Sequence, residues 1–138
     1  MRIVIDTNIV ASAVFFGGNP RKIIEALFEK KLEAFITPEI LEEYHETFEE
    51  LQNKYPQKRT YVPITQIAEA CHMIIPGKTF EVCRDPDDNK FIDCAYAGRC
   101  IYIVTGPWSS NQPFSTERYV LSSNTPYSSF AIRLTPAN

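Results

Sequence analysis

The sequence predicts a three-layer α/β/α domain built on a parallel sheet, and three observations predict it. Short runs of continuous apolar residues (3–5, 32–36 and 101–104) alternate with longer amphipathic segments, as expected of strands covered by helices on both faces. A length of 138 residues suits one domain. With 44% hydrophobic residues the chain is rich enough for a core, and it needs no disulfide or structural metal to fold.

The elements follow in order. Ile3-Val4-Ile5 is a short buried strand that stops on Asp6, where Asp6-Thr7-Asn8 can cap a following helix. Gly17-Gly18 reads as a turn, too short to cradle phosphates. Asn19-Pro20 then sets a cap before a proline at the first helical position, with Ile23, Ile24, Leu27 and Phe28 as the apolar stripe. Residues 32–36 form a second strand. Thr37-Pro38 repeats the cap-and-proline signal and opens a long helix over 39–55. Residues 57–61 are a basic, polar loop. Ile64, Ile67, Ala68 and Cys71 mark another helix, and Phe80-Glu81-Val82 a short strand. Asp85-Pro86 starts a helix carrying Phe91, Ile92 and Ala95, with Gly98 as its cap. Residues 101–104 are the next strand, ending on Thr105-Gly106.

Several functional classes are excluded at this level. No apolar run approaches the ~18–20 residues of a membrane span. Asp6 interrupts the earliest apolar run, so no secretory signal is expected. Cys71, Cys83, Cys94 and Cys100 show no Cys-x-x-Cys spacing, and only His45 and His72 could join them in a zinc site. They read as buried or semi-buried thiols of a reducing compartment, with the cytoplasm as default address.

Charge is distributed unevenly. The net charge is −3 and the pI about 5.4, so no global basic field draws in a polyanion. Residues 1–106 hold twelve basic and sixteen acidic side chains, a balance of −4, whereas 107–138 hold two and one. Seven of the eight serines follow Gly106. The chain thus reads as one domain with a core over 1–106 and a Ser/Pro-rich segment over 107–138.

In such sheets ligands bind beyond the carboxyl ends of the strands, near the point where strand order reverses. Asp6 and Thr105 both stand at strand ends, and the Asp85, Asp87, Asp88 cluster opens a helix reached from the same edge. Among glutamates 39, 42, 43, 46, 49 and 50 of the long helix, Glu43 lies nearest the apolar stripe at about 100° per residue. The rest read as solvated surface. Asp85 is the better helix cap, and Asp88 the inward carboxylate, since Asp88, Ile92 and Ala95 share one face. Carboxylates gathered at one edge repel unless a cation sits among them. Mg²⁺ or Mn²⁺ suits such an oxygen-only set, and phosphoryl chemistry is what that ion does best.

These residues together resemble a PIN domain: Asp6-Thr7-Asn8; Thr37-Pro38-Glu39-Ile40-Leu41-Glu42-Glu43; Cys83-Arg84-Asp85-Pro86-Asp87-Asp88-Asn89-Lys90-Phe91; and Tyr102-Ile103-Val104-Thr105-Gly106. The likeness is greatest to VapC-like ribonucleases, the toxins of prokaryotic toxin–antitoxin pairs. The resemblance implies a parallel sheet of about five strands and an acidic pocket for one or two divalent metals. It also implies cleavage of single-stranded RNA by metal-activated water. Position by position, it puts the catalytic and metal-binding acids on Asp6, Glu43 and Asp88, with Asn8 and Thr105 in support. It further implies an antitoxin partner and a homodimer, for which the stripe Ile23, Leu27, Phe28 is a candidate surface. That stripe also serves as ordinary core packing.

One position departs from the family pattern. An aspartate normally follows the Thr-Gly strand end, whereas here Gly106 is followed by Pro107 and no acid occurs before Glu117. Likeness returns at Ala131-Ile132-Arg133-Leu134-Thr135-Pro136, with a last strand expected over 130–134. A missing fourth carboxylate predicts a weakened second metal site and impaired activity. The competing reading is an inactive PIN domain that binds RNA or a partner protein; a receiver or phosphatase domain lacks its required strand-end acids and lysine. Lys58, Arg59, Arg84 and Lys90 are the candidate RNA contacts, with Lys54, Tyr55 and Tyr61 beside the loop and Arg99 flanking the acids.

Overall fold

Asp6, Thr37 and Gly98 are the punctuation marks around which the chain folds. The computed structural model describes residues 1–79, 81, 86–100 and 102–105, together with the course of the backbone over 119–122 and 131–136. The order is β1 (Arg2–Ile5), α1 (Thr7–Phe15), α2 (Gly18–Phe28), β2 (Glu33–Ile36), α3 (Pro38–Lys54), α4 (Ile64–Ala70) and β3 (His72–Met73). After a 3-10 turn at Pro86–Asp88 come α5 (Asn89–Ala97), β4 (Tyr102–Val104), β5 (Tyr119–Ser122) and β6 (Ala131–Pro136).

The strands form one sheet in the order β3-β2-β1-β4-β6-β5. The first four are parallel; β6 runs antiparallel to β4, and β5 antiparallel to β6. The expected sheet of about five parallel strands is therefore four parallel strands with an antiparallel hairpin at one edge. The physical reason is connection length. Eight residues link β5 to β6, fewer than the dozen or so that a parallel crossover requires. The expected last strand is found as β6, slightly longer than 130–134. A strand at Phe80-Glu81-Val82 falls mostly outside the described residues, and β3, too short for a periodic signal, is an addition to the expected set.

Successive strand residues face opposite sides of a sheet. Ile3, Val4 and Ile5 are all buried, as are Ala34, Phe35 and Ile36, and Tyr102, Ile103 and Val104. Both faces are therefore covered, which is the three-layer arrangement. The stripe Ile23, Ile24, Leu27 of α2 is buried within the core, and Phe28 packs against it. This corrects its candidacy as a dimer surface: burial within the chain's own core leaves little of it for a partner. The Thr37 cap forms as expected, its hydroxyl oxygen accepting from the Ile40 N–H at 3.2 Å. Helix α2 starts two residues earlier than Asn19-Pro20 suggests, because Gly17 (φ 80°) and Gly18 (φ 70°) make the positive-φ corner out of α1.

Cys71, Cys94 and Cys100 are free thiols, the last two buried. Burial pushes Cys71 and Cys100 up to about 12 and raises Cys94 as well. Such thiols stay protonated and unreactive at neutral pH. Cys83 lies outside the described residues.

Gly98 does cap α5, but not through a left-handed backbone: its φ is −85°, and Arg99 takes the positive φ at 53°. Glycine is needed for space. A Cβ there would stand 2.9 Å from Cγ of Phe35 and 3.1 Å from Sγ of Cys100. Gly98→Ala is accordingly predicted to destabilise the domain by about 1–3 kcal/mol, the usual range for overpacking. A urea titration checks this; an unchanged midpoint would contradict so close an approach.

Candidate functional site

Sheet order reverses at β1, which has β2 on one side and β4 on the other. The carboxyl ends of β1 and β4 thus mark the place where an open α/β sheet offers a ligand crevice. Asp6 follows β1 directly and is the N-terminal flank of α1. Its N–H donates to the Val104 carbonyl at 2.8 Å, while its own carbonyl accepts from Ile9 and Val10 at 3.0 and 3.2 Å. The backbone is thereby held from both sides. Thr105, only 7% exposed, follows β4 and donates its hydroxyl to Oδ2 of Asp6 at 2.8 Å.

Glu43 reaches the same place from α3. Tyr44, buried next to it, donates its hydroxyl to the Ile5 carbonyl. That contact ties the second turn of α3 to the residue before Asp6. Of the six glutamates on this helix, Glu43 alone is not exposed to solvent. One of its oxygens, Oε2, accepts from the Thr7 hydroxyl. The other, Oε1, lies 3.2 Å from Nζ of Lys90, whose side chain is only 11% exposed.

The electrostatics follow from this geometry. Burial raises the Asp6 carboxyl above its ordinary value of 3.8; the Thr105 hydrogen bond opposes this, the neighbouring Glu43 adds to it, and the N–H groups of Thr7 and Asn8 oppose it weakly. Burial likewise holds the Tyr44 phenol well above its ordinary value of 10.0, so it remains a neutral donor. Asp6 and Glu43 therefore present an oxygen-only set whose negative charge the protein compensates incompletely. A divalent cation fits that donor set, with Asp6 and Glu43 as the groups that would hold it.

The remaining expected residues are placed as follows. Asp88 is half-buried at the N-terminal flank of α5, but among the described residues no three His, Cys, Asp or Glu side chains stand together as a metal group. Beside Glu43 stands Lys90. Lys90, expected at an RNA surface, turns inward to Glu43 because a lysine two residues into α5 meets α3 at its acidic flank. Asn8 is exposed at the start of α1, and Lys58 and Arg59 are exposed in their loop. Asp85, Arg84 and Pro107 lie outside the described residues. Two residues were missed: Thr7, which orients Glu43, and Asp93, buried on α5 at 8% exposure. An acid inside the apolar run Phe91, Ile92, Cys94 was the available signal for Asp93; nothing local marks Thr7.

A carboxyl raised by burial favours its protonated form in the folded state. Its contribution to stability is present below the unfolded value near 3.8 and is lost as pH rises through the folded value. Asp6→Asn is therefore predicted to raise the melting temperature at pH 7 in EDTA, with the gain shrinking as pH falls towards 4. Thermal unfolding at the two pH values checks it; a variant less stable at pH 7 contradicts it.

Among the described residues no helix is long and apolar enough to cross a membrane. A family model described as a PIN domain matches residues 2–107. The chain is also 37% identical over 110 residues to an uncharacterized protein of Methanocaldococcus jannaschii, a match covering 77% of this chain and 70% of that protein. No solved structure matches. With Asp6 and Glu43 paired at the switch point of a four-stranded parallel sheet, and with that family match over most of its length, the chain belongs to the PIN-domain family.

Proposed function

We propose that the protein is a divalent-metal-dependent endoribonuclease acting on single-stranded RNA, the toxin of a cytoplasmic toxin–antitoxin pair. PIN domains are generally nucleases and generally use divalent ions, which supports the class of chemistry. The observation that carries the reading is the convergence of Asp6 and Glu43 at the carboxyl ends of β1 and β4, each oriented by a threonine hydroxyl. In this reading Asp6 and Glu43 hold Mg²⁺ or Mn²⁺, and Asp88, on the same carboxyl edge at the start of α5, is the third carboxylate. When bound, such an ion supplies an activated water and positive charge at the attacked phosphate.

The chain's own groups prepare that site. Thr105 fixes the rotamer of Asp6 and Thr7 that of Glu43. Lys90 offsets the charge of Glu43, and Asn8 stands at the exposed mouth. Lys58, Arg59 and Arg84 are assigned to the RNA backbone. A small antitoxin and a homodimer complete the reading. Pro107 in place of the family's fourth acid points to one-metal chemistry at a reduced rate.

The inactive-domain reading keeps one specific observation in its favour, since the Lys90–Glu43 ion pair partly satisfies the pocket without any metal. Titrating Mn²⁺ against a labelled single-stranded RNA separates the two. The wild type is expected to cleave in proportion to bound metal, and Asp6→Asn to lose at least about 100-fold, since even groups that merely orient metal ligands cost 10–100-fold. Equal, metal-independent background in both proteins overturns the nuclease reading and leaves the binding module.

A further inference from the structure

Helix α1 is almost wholly buried. Of its residues only Asn8 and Ser12 reach solvent, and Phe16 follows them just past its end. These three recur at intervals of four and so form one line along the helix. On α3 the half-buried Glu43, Thr47 and Leu51 and the exposed Tyr55 repeat the same interval. The two lines are joined at both ends: Thr7 donates to Glu43 at one, and the Phe16 ring meets the Tyr55 ring edge-on at 5.7 Å at the other. Between the carboxylate pair and the aromatic pair the lines carry Asn8, Ser12, Thr47 and Leu51, none of them charged.

The far end is built from aromatics and cations. Phe16 is 53% exposed and Tyr55 36%. The Phe16 N–H donates to the Ser12 carbonyl at 2.9 Å, and the Lys58 N–H to the Tyr55 carbonyl at 3.1 Å. That last turn brings Nζ of Lys58 over the Phe16 ring at 4.5 Å from its centroid, with Lys54 5.5 Å from that of Tyr55. Tyr61 is not part of the group: it is half-buried, and its ring packs with Phe28 at 6.5 Å and with Arg21.

We propose that the paired surface lines of α1 and α3 are a track for a single nucleic-acid strand, ending on a platform where Phe16, buttressed edge-on by Tyr55, stacks an unpaired base and Lys54 and Lys58 meet its phosphates. The inference rests on the nuclease reading for the position of the scissile bond. Charge complementarity selects the occupant, since exposed rings flanked by ammonium groups match a base with its phosphates. Ten residues of helical rise, from Asp6 to Phe16, span about 15 Å. At about 3.4 Å per stacked nucleotide that distance holds roughly four nucleotides. Glu46 and Glu50, exposed on α3, border the track and keep the phosphates to its α1 side.

The test is fluorescence anisotropy with a labelled twelve-nucleotide oligouridylate in EDTA, where no cleavage confuses binding. Phe16→Leu keeps apolar area but loses the ring, and is expected to weaken binding roughly 5- to 100-fold, the span for one stacked base. Phe16→Trp is expected to bind at least as tightly as wild type, and Lys58→Gln to reduce the salt dependence by about one phosphate contact. Phe16→Leu binding like wild type, or no wild-type binding at low salt, overturns the track. So does a Phe16→Leu variant that changes from dimer to monomer with unchanged oligonucleotide affinity, which would give the platform to a second copy of the chain. With Mn²⁺ added, a dinucleotide too short to reach the platform is expected to be cleaved equally by wild type and Phe16→Leu. Ring-dependent binding without any metal-dependent cleavage sinks the nuclease reading and leaves the track standing.

Discussion

Two carboxylates held side by side at a half-desolvated sheet edge repel each other, and the groups around Asp6 and Glu43 are arranged about that repulsion. The protein forces the pair together with neutral contacts: the Tyr44 hydroxyl to the Ile5 carbonyl, Thr105 to Asp6, and Thr7 to Glu43. None of these cancels charge. Among the described residues Lys90 does, and the carboxylate it reaches is Glu43. The buried acid is left raised, chiefly by burial, and such perturbed groups cluster at functional sites.

Why this edge can carry the pair is a matter of topology. β1 sits between β2 and β4, and its last peptide is held at both ends, its carbonyl by the Tyr44 hydroxyl and its N–H by the Val104 carbonyl. Asp6 is the first residue past that clamp, and α1 begins at the next. Helix α3 adds Glu43 from across the crevice because Tyr44, one residue on, is buried in the core and fixed to the end of β1. The same two helices then run side by side from a common carboxylate end to a common aromatic end. Placement of the acids and exposure of the far rings thus share one cause, the side-by-side packing of α1 and α3.

The parts of this arrangement that depend on local signals could be read from the residues. Thr37-Pro38 announced α3, continuous apolar runs announced β1, β2 and β4, and helical phase together with the family resemblance pointed to Glu43 among six glutamates. What could not be read depends on contacts between distant segments. Thr7 and Glu43 are 36 residues apart, and nothing near Thr7 shows that its hydroxyl has a carboxylate to orient. Lys90 reads as a surface cation because the residues just before it are polar; its partner lies on another helix. β3 has two residues and no periodicity, and the antiparallel edge follows from a hairpin whose pairing no run of residues declares. Net charge was the poorest guide of all, since −3 describes the glutamate-rich outer face of α3 more than the site.

The central claim is that Asp6 and Glu43 together bind a divalent cation, and direct counting of that ion tests it without reference to any substrate. Mn²⁺ titrated into the free protein, followed by the loss of the free-ion electron paramagnetic resonance signal, is predicted to show one saturable ion per chain. Asp6→Asn should abolish that binding, and Glu43→Gln should weaken it by about tenfold or more. Identical Mn²⁺ uptake by wild type and both variants would contradict the account.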